Sequence, residues 1–347
     1  MASLVKDAAW LEWIGSLLGA GPRQTQSAML PREQFHCLLD ELPVHLIPRT
    51  ALDLPASFGD EQPLFFNQQC SVLPPGQVPA ELESKTDLLA GFNLQLPIAW
   101  VRDSATGSLQ PFWLGTRMEE LLAHFRDGEP APSSISPISR RTLTNAGILI
   151  RQNETERRLA QWSKMVEKSS TRFREKDYAP LRNLLHPFHI AALRRYYRHA
   201  IRRGAIHLGD EQSSRRYAAH NEPVVRFFHH QLANTVAAIV GEAVKPSYVY
   251  LASYLSGAAL PKHTDRPQCE FSVTLCLDFS PEPILATSWP IRLDTADGPV
   301  AVYQALGDGL IYRGTTVPHY RDPLPPGHTS TSIFFHYVPE HFSGTLQ

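Results

Sequence analysis

The chain has 347 residues, with 33 Lys and Arg against 34 Asp and Glu, and a formal net charge of -1. This length suffices for one large domain or two ordinary ones, each with a sizeable core. The balanced charge provides no basic field, and no run approaches the ~18 apolar residues of a membrane span, so neither nucleic acid nor a membrane is an expected partner. The four cysteines include no CxxC pair and are too few for a disulfide scaffold, which favours a reducing, cytoplasmic setting.

Residues 1–128 have the pattern of a smaller mixed N-terminal domain of unknown role. The first stretch, MASLVKDAAWLEWIGSLLGAG, predicts an amphipathic helix rather than a signal peptide, because Asp7 and Glu12 interrupt the apolar run. Short helical patterns such as TRMEELLAHF accompany a strand-like stretch, LQLPIAWVRD. A segment rich in Pro and Ser, GEPAPSSISPISRR, then predicts a linker over residues 129–152.

The remainder, residues 153–347, predicts helices followed by a strand-rich region. A charged helix is expected from Asn153 to Lys176, and an amphipathic one in HPFHIAALRRYYRHAIRRG, where Gly204 ends it. A further helix is expected in HNEPVVRFFHHQLANTVAAIVG, with Asn221 as its N-cap. Beyond Pro246, turns separate short segments of strand composition: SYVYLASYL, CEFSVTLCLDF, PVAVYQAL, GLIYRG and TSTSIFFHYV. This order predicts an α+β fold, in which an antiparallel sandwich or barrel packs against helices.

His263 and Asp265 are separated by one residue, directly before the strand-like CEFSVTLCLDF. Alternate residues at a strand end project to the same side, so both side chains can reach one ion. Two imidazoles and one carboxylate on one face of an octahedral iron form the facial triad of non-haem Fe(II) oxygenases. His319 is the natural third ligand because it follows the strand-like GLIYRG, and His328 and His336 compete for this role.

Two other interpretations of the possible metal ligands are weaker: a different site, and a different metal at the same site. His220, Asn221 and Glu222 also contain a His and a carboxylate two residues apart, but they lie at a predicted helix start, where Asn and Glu are expected as capping residues. The main triad has ligand types that suit a zinc hydrolase. No general base stands at a fixed spacing from it.

The motifs resemble those of Fe(II)- and 2-oxoglutarate-dependent dioxygenases in their prolyl-hydroxylase-like branch, over roughly residues 180–340. In that branch a strand carrying Tyr and Gly runs into the HxD motif, and SYLSGAALPKHTD supplies Tyr254 and Gly257 here. The distal His of the family follows a Gly-Asp strand start, and here Gly307 and Asp308 precede His319. The resemblance implies a C-terminal double-stranded β-helix of the jelly-roll or cupin-like type, buttressed by helices, in an oxygenase domain over residues 153–347.

In that family a basic residue nine or ten positions after the distal His, with Ser or Thr two residues later, grips the far carboxylate of 2-oxoglutarate. Here GHTSTSIFFHYV places His328 and Ser330 at those positions, so a His stands where the family usually has Arg or Lys. A neutral imidazole donates one hydrogen bond, whereas Arg offers a planar fork and a fixed charge. Arg321 and Arg313 are the nearest substitutes in the sequence. The expected cosubstrate contacts are therefore Tyr254, His328, Ser330 and Arg321.

The resemblance implies Fe(II), 2-oxoglutarate and O2 at His263, Asp265 and His319, with ascorbate as an optional addition. Halogenating relatives lack the carboxylate that Asp265 supplies, so hydroxylation of an unactivated C–H bond is expected. The substrate is expected to be an amino-acid side chain of a peptide or protein, or else a small molecule. The competing hypothesis is a scaffold or binding protein that has lost turnover, which the missing Arg or Lys keeps open. No oligomeric state is predicted.

Overall fold

The computed structural model describes residues 33–51, 63–125 and 128–346. All of these residues belong to one compact unit. None of the helices within these ranges is long and apolar enough to cross a membrane. The helix predicted at the N-terminus lies outside the described residues.

Seven α-helices and five short 3-10 turns occur in the described ranges. The α-helices are α1 (Ala80–Glu83), α2 (Thr116–Leu122), α3 (Pro137–Asn145), α4 (Glu154–Lys176), α5 (Pro187–Arg202), α6 (Pro223–Gln231) and α7 (Ala233–Val240). The 3-10 turns are Leu39–Glu41, Val44–Leu46, Arg49–Ala51, Thr86–Leu89 and Pro267–Cys269. The longest helix, α4, has acidic residues in its first turn and Arg174 and Lys176 in its last, which complements the helix dipole at both ends.

The helices predicted in HPFHIAALRRYYRHAIRRG and in HNEPVVRFFHHQLANTVAAIVG are present, and the second of them is divided into two helices. Helix α5 has the predicted extent, and α6 and α7 divide the second prediction at Leu232. The N-cap of α6 is Glu222, whose carboxylate accepts from backbone N–H groups of the first turn, so the predicted N-cap Asn221 is wrong. Asn221 has a φ of 49°, and its side-chain oxygen accepts from the backbone N–H of Val249 instead. Asn221 therefore ties this turn to the sheet.

Two large antiparallel sheets carry the C-terminal half. Seven strands among the described residues form the larger sheet: β6 (Tyr178–Leu181), β7 (His207–Leu208), β8 (Arg216–His220), β9 (Val244–Tyr254), β11 (Phe271–Ser280), β14 (Gly309–Arg313) and β16 (Thr329–Pro339). Its strand order is β6–β14–β11–β16–β9–β8–β7. The smaller sheet contains β10 (Leu260–His263), β12 (Ile291–Thr295), β13 (Gly298–Val302) and β15 (His319–Arg321), in the order β10–β15–β12–β13.

Two further sheets involve the N-terminal half of the described chain. One pairs β2 (Cys70–Leu73), β3 (Ile98–Arg102) and β4 (Leu109–Trp113) in that order. The other pairs β1 (Phe65–Phe66) with β5 (Leu149–Ile150).

Alternation along β16 separates the two faces of the larger sheet. Ile333 and Phe335 belong to the main hydrophobic cluster, which also contains the buried residues of α5 and α6. Phe334 faces the other way and packs with Trp289, which lies just before β12 of the smaller sheet. Tyr312 of β14 packs with Ile291 of β12, so the two sheets face each other. The mixed composition and the large antiparallel sheets agree with the predicted α+β class.

The segment predicted as a linker contains regular structure. Ser136 caps α3, because its side-chain oxygen accepts from the backbone N–H of Ser139, and Pro137 is the first helical residue. Leu143 and Ile148 are fully buried in the main hydrophobic cluster. Pro and Ser therefore mark a helix start here, and the division into two domains at residues 129–152 stays a prediction.

Candidate metal centre

The triad proposed from the sequence comes together at one end of the β10–β15 pair. His263 ends β10 and His319 begins β15, and the two residues are register partners. Asp265 follows β10 by two residues, and its backbone N–H donates to the carbonyl of Gly314 at 2.8 Å. Three side chains that are distant in the sequence thus share one corner of the fold.

The ligand atoms of these residues surround a common point. Asp265 Oδ1 lies 3.6 Å from His263 Nε2 and 3.5 Å from His319 Nε2. One ligand atom from each of the three residues lies within 4.8 Å of those from the other two. This spacing suits an ion held by two imidazole nitrogens and one carboxylate oxygen.

Hydrogen bonds on the far side of each ring fix which nitrogen faces that point. His263 Nδ1 lies 2.8 Å from the carbonyl oxygen of Pro261, and His319 Nδ1 lies 3.0 Å from that of Val317. A carbonyl can only accept, so in both rings Nδ1 carries a proton and Nε2 is the atom left to bind a metal ion. The Asp265 carboxylate beside Nε2 raises the pKa of the His263 imidazole.

Asp265 is held ionised. Burial alone raises the pKa of this carboxyl group, but the imidazoles of His263 and His319 outweigh burial and hold it well below its ordinary value. Its second oxygen, Oδ2, accepts a hydrogen bond of 2.7 Å from the hydroxyl of Ser272. An ionised carboxylate with one oxygen turned to the imidazoles is a ready metal ligand.

The sequence rivals for the third ligand lie elsewhere. His336 Nδ1 is 2.9 Å from Ser272 Oγ, and burial lowers the pKa of His336 to about 4, so the ring is neutral behind the triad. His336, Cys269 and Asp265 also form a second group of possible ligands, but burial raises the pKa of the Cys269 thiol to about 12, which disfavours the thiolate form. His328 is half-buried, with Nδ1 3.0 Å from the carbonyl of Pro326.

The triad opens onto a cavity of about 490 Å³. Its walls combine charged and polar side chains with five Tyr and Phe rings: Tyr248, Tyr250, Tyr254, Tyr312 and Phe334. Arg216 and Asp210 form an ion pair of 2.6 Å at this cavity, and the hydroxyl of Tyr250 donates to the same carboxylate at 2.5 Å. A larger cavity of about 690 Å³ lies beside α3 and the start of α4, and no triad residue lines it.

The four residues expected to contact a cosubstrate have different surroundings. Tyr254 lines the cavity, and Ser330 is its buried register partner. Arg321 is 4% exposed and lies behind the cavity, where its guanidinium stacks on Trp289 and donates to the carbonyl of Trp289 at 2.7 Å. His328 does not line the cavity; its ring packs against Phe279 instead.

Arg321 is a buried cation with incomplete partners. Its Nε has no hydrogen-bond partner among the described residues, and burial lowers the pKa of its guanidinium. The hydrogen bonds of Arg321 to other described residues include a long one of 3.4 Å to Gln304 Oε1, but none to a carboxylate. A buried charge without a counter-ion is costly, which points to an anion that completes the site.

Ser332, on the same inner face, carries another buried polar atom without a hydrogen-bond partner among the described residues. Sequence reasoning missed this residue. Its buried Oγ has no hydrogen-bond partner, and its register partner in β11 is Cys276. Burial raises the pKa of Cys276 to about 12 and the positive charge of Arg321 opposes that rise, which places the guanidinium near Cys276. The signal that could have found Ser332 is its position two residues after Ser330 on the same strand.

No family model matches the chain, and no curated protein matches it. Solved structures to which it is similar include a prolyl-4-hydroxylase from Pseudomonas putida, at 18% identity and a TM-score of 0.42, over 51% of this chain and 100% of that one. They include the non-haem α-ketoglutarate-dependent epimerase SnoN of nogalamycin biosynthesis, at 10% identity and a TM-score of 0.43, over 51% of this chain and 84% of that one. They also include HygX from Streptomyces hygroscopicus with nickel, 2-oxoglutarate and hygromycin B bound, at 10% identity and a TM-score of 0.41, over 50% of this chain and 88% of that one.

Proposed function

We propose that the chain is an Fe(II)- and 2-oxoglutarate-dependent oxygenase that hydroxylates an unactivated C–H bond, and that its two large sheets form a double-stranded β-helix. The observation that carries the proposal is the meeting of His263 Nε2, His319 Nε2 and Asp265 Oδ1 around one point at the cavity. Two imidazoles and one carboxylate leave part of an octahedral metal open, which is what a chelating cosubstrate and O2 require. When bound, the iron and 2-oxoglutarate supply the oxidising chemistry, and succinate is the expected by-product.

Arg321 and Ser332 support 2-oxoglutarate as the cosubstrate. Arg321 lies two residues beyond His319 on β15, so both side chains point to the same face, and their Cα atoms are roughly 6.6 Å apart along the strand. Both side chains therefore extend from one strand toward the same side, as a dicarboxylate that bridges the metal and Arg321 would require. The far carboxylate would give Arg321 the counter-ion that it lacks and give Ser332 a hydrogen-bond acceptor.

This arrangement assigns the anchoring role to Arg321 rather than to His328. A guanidinium provides the fixed charge and fork that His328 cannot. Tyr254, which lines the cavity in front of Arg321, would close over the cosubstrate and separate it from water. Ser330, in register with Tyr254, would support that ring.

The cavity favours a small molecule or a single amino-acid side chain as the substrate. Its aromatic walls bind apolar surface, and Asp210, Arg216 and Arg266 offer polar contacts at its edge. SnoN and HygX are named with nogalamycin and hygromycin B, and a small-molecule substrate would make this chain like them. The division into a domain over residues 1–128 and an oxygenase domain over residues 153–347 is part of this proposal, and ascorbate would serve as an optional reductant.

The test is succinate formation from 2-oxoglutarate by the purified, Fe(II)-loaded protein. Asp265→Ala should abolish it, because one of three metal ligands is lost. Asp294→Ala is the matched control, since Asp294 is a carboxylate of the adjacent strand β12 whose partner is Lys262 at the surface. Equal succinate formation by Asp265→Ala and the wild type would refute the proposal, and a protein that binds neither iron nor cosubstrate would favour the scaffold hypothesis.

A further inference from the structure

A chain of two hydrogen bonds connects the second carboxylate oxygen of Asp265 to the cavity wall. Ser272 Oγ lies 2.7 Å from Asp265 Oδ2 and 2.9 Å from Nδ1 of His336, which lines the cavity. A serine hydroxyl has one proton, and an ionised carboxylate can only accept, so Ser272 donates to Asp265 and accepts from His336. His336 therefore donates to Ser272, and Ser272 donates to Asp265.

The surrounding sheet holds this chain in place. Ser272 and His336 are register partners in β11 and β16, and they are 1% and 6% exposed. The backbone of Gly314 closes the other side, where an added Cβ would lie 2.6 Å from Ser272 Oγ and would also overlap Asp265 Oδ2. The backbone of Gly314 therefore packs directly against both the Asp265 carboxylate and the Ser272 hydroxyl.

We propose that Ser272 and His336 are positioning residues that keep Asp265 a one-oxygen metal ligand. The inference rests on the proposed function, because it requires a metal at the triad. Oδ1 is the oxygen near both Nε2 atoms, at 3.6 and 3.5 Å, while Oδ2 is bonded to Ser272. The metal position that a two-oxygen carboxylate would occupy thus stays open for the cosubstrate.

Three variants separate this role from a merely structural one. Ser272→Ala removes the hydroxyl, and His336→Leu removes the ring donor while keeping an apolar side chain of similar size. His336→Asn is the conservative variant, because the Asn amide nitrogen is as far along the side chain as Nδ1 and can still donate to Ser272. The matched control is Ser253→Ala, which removes a buried hydroxyl of β9 that accepts from Thr331 and does not line the cavity.

The measurement uses the full chain loaded with Co(II), whose absorption reports coordination without turnover. The dissociation constants of Co(II), and of 2-oxoglutarate at saturating Co(II), are determined for each protein. Ser272→Ala and His336→Leu should weaken 2-oxoglutarate binding about tenfold or more, because a hydrogen bond to a charged group is lost, and should change Co(II) affinity less. His336→Asn and Ser253→Ala should remain close to the wild type in both constants.

Unchanged 2-oxoglutarate affinity in Ser272→Ala would overturn the inference. A loss of affinity mainly for Co(II) rather than for 2-oxoglutarate would also overturn it. An equal loss of 2-oxoglutarate affinity in His336→Asn and His336→Leu would do the same. A wild-type protein that fails to bind Co(II) would instead contradict the proposed function, and the two failures are therefore distinguishable.

Discussion

His263 and His319 are register partners in β10 and β15, with their ring centroids 4.3 Å apart. Each ring is oriented by the carbonyl two residues earlier in the chain, which leaves both Nε2 atoms facing Asp265. The same hydrogen bond to a backbone carbonyl thus orients the histidine at the end of β10 and the histidine at the start of β15. This orientation is the one that two ligands of the proposed metal ion require.

Loss of either imidazole should therefore remove the metal. We expect His319→Ala to lower Fe(II) affinity by more than about a hundredfold, since one of three protein ligands is lost and outer-shell changes alone typically cost 10–100-fold. The measurement is bound iron per chain after anaerobic loading and desalting. His207→Ala is the control, because His207 is exposed on β7 at the far edge of the larger sheet. Equal iron content in His319→Ala and the control would contradict this prediction.

Arg321 should control cosubstrate affinity. Arg321→Met is expected to raise the dissociation constant of 2-oxoglutarate tenfold or more, because a charge-assisted pair in a buried site is lost, whereas His328→Ala should change it less than about twofold. The free energy of unfolding without 2-oxoglutarate should not fall in Arg321→Met, because the removed charge has no carboxylate partner among the described residues. A larger effect of His328→Ala than of Arg321→Met would return the anchoring role to His328.

The same pair of proteins can be compared by thermal unfolding. At a 2-oxoglutarate concentration of about 100 times the dissociation constant, the free energy of unfolding of the metal-loaded wild type should rise by about 2.7 kcal/mol. Arg321→Met should gain almost nothing at that concentration. Equal gains would show that Arg321 does not contact the cosubstrate.

Gly314 should be required for the metal site. A Cβ at this position would overlap Asp265 and Ser272, so Gly314→Ala must displace the carboxylate or the backbone segment that bears it. We expect a loss of Fe(II) affinity of tenfold or more, measured by titration. Gly76→Ala is the control, since Gly76 has a φ of 80° but open space around it, and should cost stability without affecting iron. Unaltered iron affinity in Gly314→Ala would contradict the described geometry.

His186 should make the fold sensitive to acid. Burial lowers the pKa of His186 to about 4, and its ordinary value is about 6.5, so the unfolded chain binds one more proton between these values. The contribution of neutral His186 to the free energy of unfolding is fully present above about pH 6.5. It is lost as the pH falls toward 4, by about 3 kcal/mol in all. His186→Asn keeps an N-cap for α5 without titrating in this range. Urea unfolding at pH 5 and pH 7 should show a smaller pH dependence in this variant than in the wild type, and equal dependence would refute the prediction.

Local patterns in the sequence predict much of this site. The HTD spacing at a strand end places His263 and Asp265 together, and the strand-like run before His319 indicates the third residue. Arg321 was named as a substitute for His328 because it lies two residues after His319, and the two side chains share a face because both residues lie on β15. These inferences need only the period of a β-strand.

The remaining features depend on pairing between distant strands. Ser272 and His336 are 64 residues apart, and only the register of β11 with β16 brings them together. The spacing that singles out His328 does not reveal its orientation, because the preceding turn at Gly327 directs the ring to Pro326 and Phe279. The helix predicted from residue 220 to 241 is divided because Leu232 ends α6 in a turn that periodicity does not show.

The most direct test of the central claim is anaerobic titration of the metal-free protein with Fe(II) and then with 2-oxoglutarate, followed by visible absorption. The proposed chelate gives a weak charge-transfer band that saturates at one 2-oxoglutarate per chain, and the band should be absent from Asp265→Ala. A protein that binds iron at the triad and yields no band at saturating 2-oxoglutarate would contradict the account.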